Sequence, residues 1–80
     1  MKTFYLDGRN MKKNFHPYLK EALELPGYYG ENLDALYDCL CEMPEILIRI
    51  KCWKQADRSL MEVFCDAQEE NPGLQLALEE

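Results

Sequence analysis

Two aspartates, Asp34 and Asp38, stand four residues apart in the run Asn32-Leu33-Asp34-Ala35-Leu36-Tyr37-Asp38. At that spacing their carboxylates share one face of a helix, a single turn apart. Such a pair has two chemical uses. Enclosed together, the two groups couple and can act as acid and base. Held out on a rigid helix, they accept charge-assisted hydrogen bonds from the Arg, Lys or His side chains of a partner. The first use needs a nucleophile, a metal or a pocket beside the acids, and no motif for any of these accompanies them. A solvated polar face is the ordinary fate of surface acids. Their setting points elsewhere: Tyr28, Tyr29, Gly30 and Asn32 lie directly ahead of them, and amphipathic aromatics of this kind mark binding surfaces.

The remaining candidates for chemistry are sparse. Cys39 and Cys41 resemble a C-x-C ligand pair on paper, but on a helix they point about 200° apart and cannot grip one metal. The four cysteines, with no secretory signal ahead of them, read as reduced thiols rather than a disulfide framework. His16, the single histidine, has no Ser or Cys nucleophile in a recognisable motif with it and reads as a surface residue. No cofactor motif is present.

The acids depend on the elements that carry them. Leu25-Pro26-Gly27 stops any preceding helix, because proline lacks the N–H and glycine loses the most entropy on ordering. After the loop Tyr28-Tyr29-Gly30-Glu31, Asn32 stands where an N-cap belongs, and a helix is expected over Leu33–Glu42. At about 100° per residue, Leu33, Leu36, Tyr37 and Leu40 fall on one arc of it and Asp34, Asp38 and Glu42 on the other. The helix dipole favours Asp34, near the cap. The like-charged Asp34/Asp38 pair costs roughly 0.2–0.5 kcal/mol.

Around this helix the chain reads in order. Thr3-Phe4-Tyr5-Leu6 is a strand ending at the turn signal Asp7-Gly8. Asn14 is the expected cap of a first helix, with Pro17 tolerated in its first turn and Phe15, Leu19, Ala22 and Leu23 at helical spacing. Ile46-Leu47-Ile48-Arg49-Ile50 is a continuous β-branched run, as expected of a strand covered on both faces. Trp53, Ala56, Leu60, Val63, Phe64 and Ala67 share one face of a last helix, which begins between residues 53 and 59. Ser59-x-x-Glu62 offers a capping box for the later start. Asn71-Pro72-Gly73 ends that helix, and Leu74, Leu76 and Leu78 alternate as a final strand. Helices long enough for crossovers separate the strands, so the expected fold is α/β: a small three-stranded parallel sheet with helices packed on it. The strand order is not legible.

Eighty residues make one domain over 1–80, near the lower limit of what a single core stabilises unaided. No apolar run approaches the roughly 18–20 residues of a membrane span. Met1-Lys2-Thr3-Phe4 leads into a strand rather than a signal peptide, so a cytoplasmic protein is expected. The net charge is −6, and it is laid out in blocks. Residues 21–48 carry Glu21, Glu24, Glu31, Asp34, Asp38, Glu42 and Glu45 with no Lys or Arg, and residues 59–80 carry only acids. A one-signed field of this kind disfavours nucleic acid, whose phosphates need a basic patch, and favours a basic protein partner.

The uninterrupted run Leu25-Pro26-Gly27-Tyr28-Tyr29-Gly30-Glu31-Asn32-Leu33-Asp34-Ala35-Leu36-Tyr37-Asp38-Cys39-Leu40 resembles the signature of the barstar family, intracellular inhibitors of barnase-type ribonucleases. The order of elements is also the family's, so the resemblance extends over the whole chain, as pattern rather than identity outside the central run. It implies a barstar-like fold and a one-to-one inhibitor, monomeric when free, that plugs the basic active-site cleft of an extracellular-type ribonuclease. It implies partner contacts at Tyr28, Tyr29, Gly30, Asn32 and Leu33, and dominant recognition by Asp34 and Asp38, with Asp38 in the enzyme's phosphate-binding site. Tyr37 takes the place of an interface tryptophan, and Asp66 that of a glutamate making a peripheral contact.

The chain also departs from the family. Residues 41–45 are fewer than usual and lack a Gly-Trp pair. Residues 52–58 are too few for both a short helix and its following loop, and Asp66 reaches one methylene less than glutamate. An immunity or binding module for a different basic protein uses the same face and stays open beside the ribonuclease inhibitor. Catalysis by Asp34 and Asp38 is the third reading.

Overall fold

The computed structural model describes residues 2–80; Met1, which the sequence sets ahead of the first strand, lies outside the described residues. The elements run β1 (Lys2–Asp7), α1 (His16–Ala22), α2 (Leu33–Glu42), β2 (Ile46–Lys51), α3 (Arg58–Glu70) and β3 (Leu74–Glu79), with short 3-10 turns at Gly8–Asn10 and Trp53–Gln55. The sheet is parallel throughout in the order β1-β2-β3. The expected α/β architecture is therefore the observed one.

That strand order decides which face is covered. Both crossovers advance across the sheet in the same direction, and right-handed crossovers that do so lie on one face. Ile46, Ile48 and Ile50 are buried beneath the helices, whereas Arg49 and Lys51 of the same strand are exposed. The expectation that β2 is covered on both faces is corrected accordingly. Its β-branched run looks like a buried strand, yet only every second residue is under cover. On the open face Arg49 pairs with Glu79 across the sheet, Nη2 to Oε2 at 2.6 Å. Neighbouring Tyr5 is 71% exposed.

Beneath the helices, Phe4 and Leu6 of β1 and Leu74 of β3 meet Leu19 of α1 and Leu23 just after it, Leu36 and Leu40 of α2, and Leu60, Phe64 and Ala67 of α3. Burying each of the larger side chains stabilises the fold by roughly 1.5–3 kcal/mol. Cover thins along the edge strand β3, from buried Leu74 through half-buried Leu76 to exposed Leu78. Met11, in the loop after β1, is fully buried, and its carbonyl accepts the Asp57 N–H at 2.8 Å. The backbone of Gly8 presses on the second 3-10 turn: a Cβ there would stand 2.1 Å from the Cys52 carbonyl oxygen.

Helix α3 starts at Arg58, within the expected bounds, but the caps of α1 and α3 differ from expectation. Asn14 does not cap α1. It takes a left-handed backbone (φ 52°), which asparagine tolerates better than most residues, whereas an N-cap is extended. Phe15 occupies the cap position without a side-chain bond, and Pro17 falls in the first turn as expected. The capping box at Ser59 is also absent. Asp57 caps α3, its Oδ1 accepting the Leu60 N–H at 3.0 Å. Trp53 and Ala56 precede the helix, the former in the 3-10 turn.

Candidate partner-binding surface

Asn32 starts α2 as the sequence predicts. Its backbone is extended (φ −137°, ψ 167°) and its Oδ1 accepts the Ala35 N–H at 2.7 Å. The helix then spans Leu33–Glu42, with Leu36 and Leu40 buried in the core and Leu33 and Tyr37 half-buried at its edge. Asp34, Asp38 and Glu42 are exposed on the opposite side. The far end is held by Asn71, at the end of α3, whose Nδ2 donates to the Leu40 and Met43 carbonyls at 3.0 Å each while its Oδ1 accepts the Gly73 N–H at 3.0 Å. The helix carrying the acids is thus fixed at both ends.

The loop before it divides its two tyrosines. Tyr28 is 83% exposed, but Tyr29 is only 5% exposed and belongs to the core. The Tyr29 N–H donates to the Pro26 carbonyl at 2.9 Å, and its hydroxyl meets His16 Nδ1 at 2.6 Å. Burial, then the neighbouring Cys39 and Glu31, push the Tyr29 phenol up to about 12. Gly30 and Asn32 are exposed beside it. His16 is half-buried and paired with a buried phenol, which corrects its reading as a plain surface residue. No spacing in the sequence announces this pairing across 13 residues.

Tyr28, Gly30, Ala35, Asp38 and Glu42 line an open cleft of about 430 Å³ between loop and helix. Tyr28 also lines a more apolar groove of about 380 Å³, whose walls include Phe4, Leu25, Met43 and Ile46. Helix α3 packs beside α2. The Tyr37 phenol is pushed up to about 12, first by the Cys41 thiol one turn on, then by burial, with the Glu70 and Asp66 carboxylates of α3 adding to it. Asp66 is exposed on α3, the helix packed beside α2. Leu33 contributes only a half-buried edge.

The electrostatics of this face follow from where the cations go. Six ion pairs form among the described residues: Lys2–Glu24, Arg9–Asp7, Lys51–Asp7, Arg49–Glu79, Lys54–Glu80 and Arg58–Glu62. None involves Asp34, Asp38, Glu42 or Asp66. The acids of α2 are consequently left with their hydrogen-bonding capacity open to an outside donor. Burial, then Glu42 and Asp38, raises the pKa of the Cys39 thiol, which removes thiolate character from it. All four cysteines are free thiols. Among the described residues no group of three His, Cys, Asp or Glu side chains is placed to hold a metal, and no helix is long and apolar enough to cross a membrane.

Fold and surface together define a small parallel α/β domain that presents an unpaired acidic helix beside an exposed tyrosine. The chain belongs to the barstar family: the family model described as barstar (barnase inhibitor) matches residues 1–79. It is similar to a protein of Bacillus subtilis (strain 168) named "Putative ribonuclease inhibitor YrdF", at 37% identity over 82 aligned positions covering 88% of this chain and 89% of that protein.

Proposed function

We propose that this protein is a stoichiometric inhibitor of a barnase-type ribonuclease, plugging the enzyme's basic active-site cleft with α2 and the loop before it. The observation that carries this reading is the row of exposed α2 carboxylates that pair with no cation among the described residues, on a helix capped at one end and clamped at the other. A ribonuclease must hold phosphate, so its site is lined with Arg, Lys and His donors. Carboxylates already fixed in place take up those donors in charge-assisted hydrogen bonds with little ordering cost. The negative field also speeds the encounter.

Asp38 is assigned the central contact, because it lines the cleft together with exposed Tyr28 and Gly30. Asp34 and Asn32 lie at the helix start, Tyr37 and Asp66 at the α3 side, and Leu33 at the apolar edge. Tyr29, being buried, serves by holding the loop from below, so that its neighbours meet the enzyme. Membership of the barstar family and the name of the Bacillus subtilis relative support the inhibitor class. They support binding over catalysis.

The test is titration calorimetry against a barnase-type ribonuclease, with Asp38→Ala measured alongside and nuclease activity followed in the same samples. Tight one-to-one binding with loss of RNA cleavage, weakened at least about thirtyfold by Asp38→Ala, is the expected result; removing a partner of a desolvated charged pair costs about 2–5 kcal/mol. Wild-type protein that leaves the nuclease untouched would move the function to another basic protein. Binding insensitive to Asp38→Ala would mean the wrong face has been assigned.

A further inference from the structure

Tyr29 is the buried residue of the loop before α2, and its hydroxyl makes a part-buried hydrogen bond. The residue is 5% exposed, and among the described residues the side chain that meets its hydroxyl is His16, with Nδ1 at 2.6 Å. The two rings lie 5.9 Å apart between centroids, and Phe15 backs the imidazole at 4.7 Å. His16 opens α1, which is tied to the sheet separately: the Tyr18 hydroxyl accepts the Asp7 N–H at 2.9 Å, and Leu19 is fully buried. A rigid element therefore reaches across 13 residues of chain to hold one loop residue. On either side of that residue stand Tyr28 and Gly30, both exposed and both lining the cleft with Asp38.

We infer that His16 is a positioning residue for the partner-binding loop, a latch on α1 that holds Tyr29 down and so fixes where Tyr28 and Gly30 meet the partner. Nδ1 accepts the Tyr29 O–H in one neutral tautomer of the imidazole and donates to the hydroxyl oxygen in the other, so the bond forms either way. Without the imidazole, a buried hydroxyl loses its partner, and the loop relieves that loss by lifting Tyr29 towards water. The backbone bond from the Tyr29 N–H to the Pro26 carbonyl then opens more often. The latch itself is a property of the free protein. Its consequence for binding rests on the inhibitor reading above.

Two measurements on the intact chain separate these claims. Amide hydrogen exchange at Tyr29 reports the loop, and exchange at Ile48, in the central strand, reports the global fold. His16→Ala should speed exchange at Tyr29 about tenfold and leave Ile48 near its original rate. Tyr29→Phe removes the same bond from the other side and stands in if His16→Ala folds poorly. The double variant should be no faster than either single one. His16→Asn, whose amide sets a polar atom where Nδ1 stands, should restore most of the protection.

Calorimetry against a barnase-type ribonuclease should follow the same order, with affinity lost about tenfold in His16→Ala and regained in His16→Asn. Unchanged Tyr29 exchange in both single variants overturns the latch, and so does equal acceleration at Tyr29 and Ile48. A loosened loop with unaltered ribonuclease affinity overturns its role in positioning. If the wild type itself fails to bind, the inhibitor reading falls, while the exchange rates still decide whether His16 holds the loop.

Discussion

Asn71 joins three segments through one side chain, and its replacement by alanine tests how the acidic helix is anchored. The substitution removes the bonds from Nδ2 to the Leu40 and Met43 carbonyls and the bond from the Gly73 N–H to Oδ1. At about 0.5–1.5 kcal/mol net for each, the three sum to roughly 1.5–4.5 kcal/mol. All three are only part-buried, so water recovers some of the loss and about 2–3 kcal/mol is expected. For a chain of 80 residues, whose whole stability is roughly 4–12 kcal/mol, that lowers the melting temperature by about 8–20 °C. Urea unfolding of both proteins is the assay, with the midpoint lowered and the slope unchanged. Asn71→Asp sharpens it. The carboxylate keeps the acceptor for Gly73 but turns a charge towards two carbonyls, so at neutral pH it should be no more stable than the alanine variant. It should recover partly as the acid protonates below about pH 4. An alanine variant within about 0.5 kcal/mol of wild type, or an aspartate variant equal to wild type at pH 7, would refute the reasoning.

Other outcomes follow from the same structure. Gly8→Ala sets a Cβ 2.1 Å from the Cys52 carbonyl oxygen, backbone against backbone, and should cost more than about 2 kcal/mol in a urea melt; wild-type stability would show the contact to be yielding. Asp57→Ala should cost about 1 kcal/mol through loss of the α3 cap, whereas Ser59→Ala should stay within about 0.5 kcal/mol. Hydrogen bonds from the Arg9 side chain and then its backbone lower the Asp7 carboxyl from 3.8 to about 2. A depressed carboxylate pKa stabilises the fold above the unfolded value and ceases to do so as pH falls through the folded one. Between about pH 4 and 2 the urea midpoint of wild type should therefore fall more steeply than that of Asp7→Asn. Finally, stopped-flow association with the ribonuclease should slow about tenfold or more as salt rises from about 0.05 to 0.5 M, because screening removes the steering field; a salt-independent rate would deny these acids a steering role.

Local signals settled a good part of this molecule. Asn32 reads as a cap because its side chain and the residues after it suffice to make one, and the Leu33–Glu42 helix follows within the expected bounds. The same periodicity that buries Leu36 and Leu40 leaves Asp34 and Asp38 outside. Parallel pairing was also legible, because each connection between strands is long enough for a crossover and contains a helix. What a pattern cannot carry is the direction in which the sheet grows. The order β1-β2-β3, and with it the bare face holding Arg49 and Tyr5, is decided by how the crossovers pack together.

The finer assignments depended on partners distant in the chain. Asn14 and Ser59 had the right chemistry for caps, but packing gave the first a left-handed backbone and set the α3 cap at Asp57, two residues before the second. The two tyrosines of the loop are identical as letters, and only the folded chain buries one and exposes the other. His16 and Asn71 gain their roles from atoms 13 and up to 31 residues away. Sequence by itself determined the elements, the amphipathic faces and the sign of the charge, because these depend on neighbours within a turn or two. Tertiary structure alone decided which polar groups meet, because a hydrogen bond needs its donor and acceptor within about 3 Å, and bonds between distant residues form only once the chain has closed on itself.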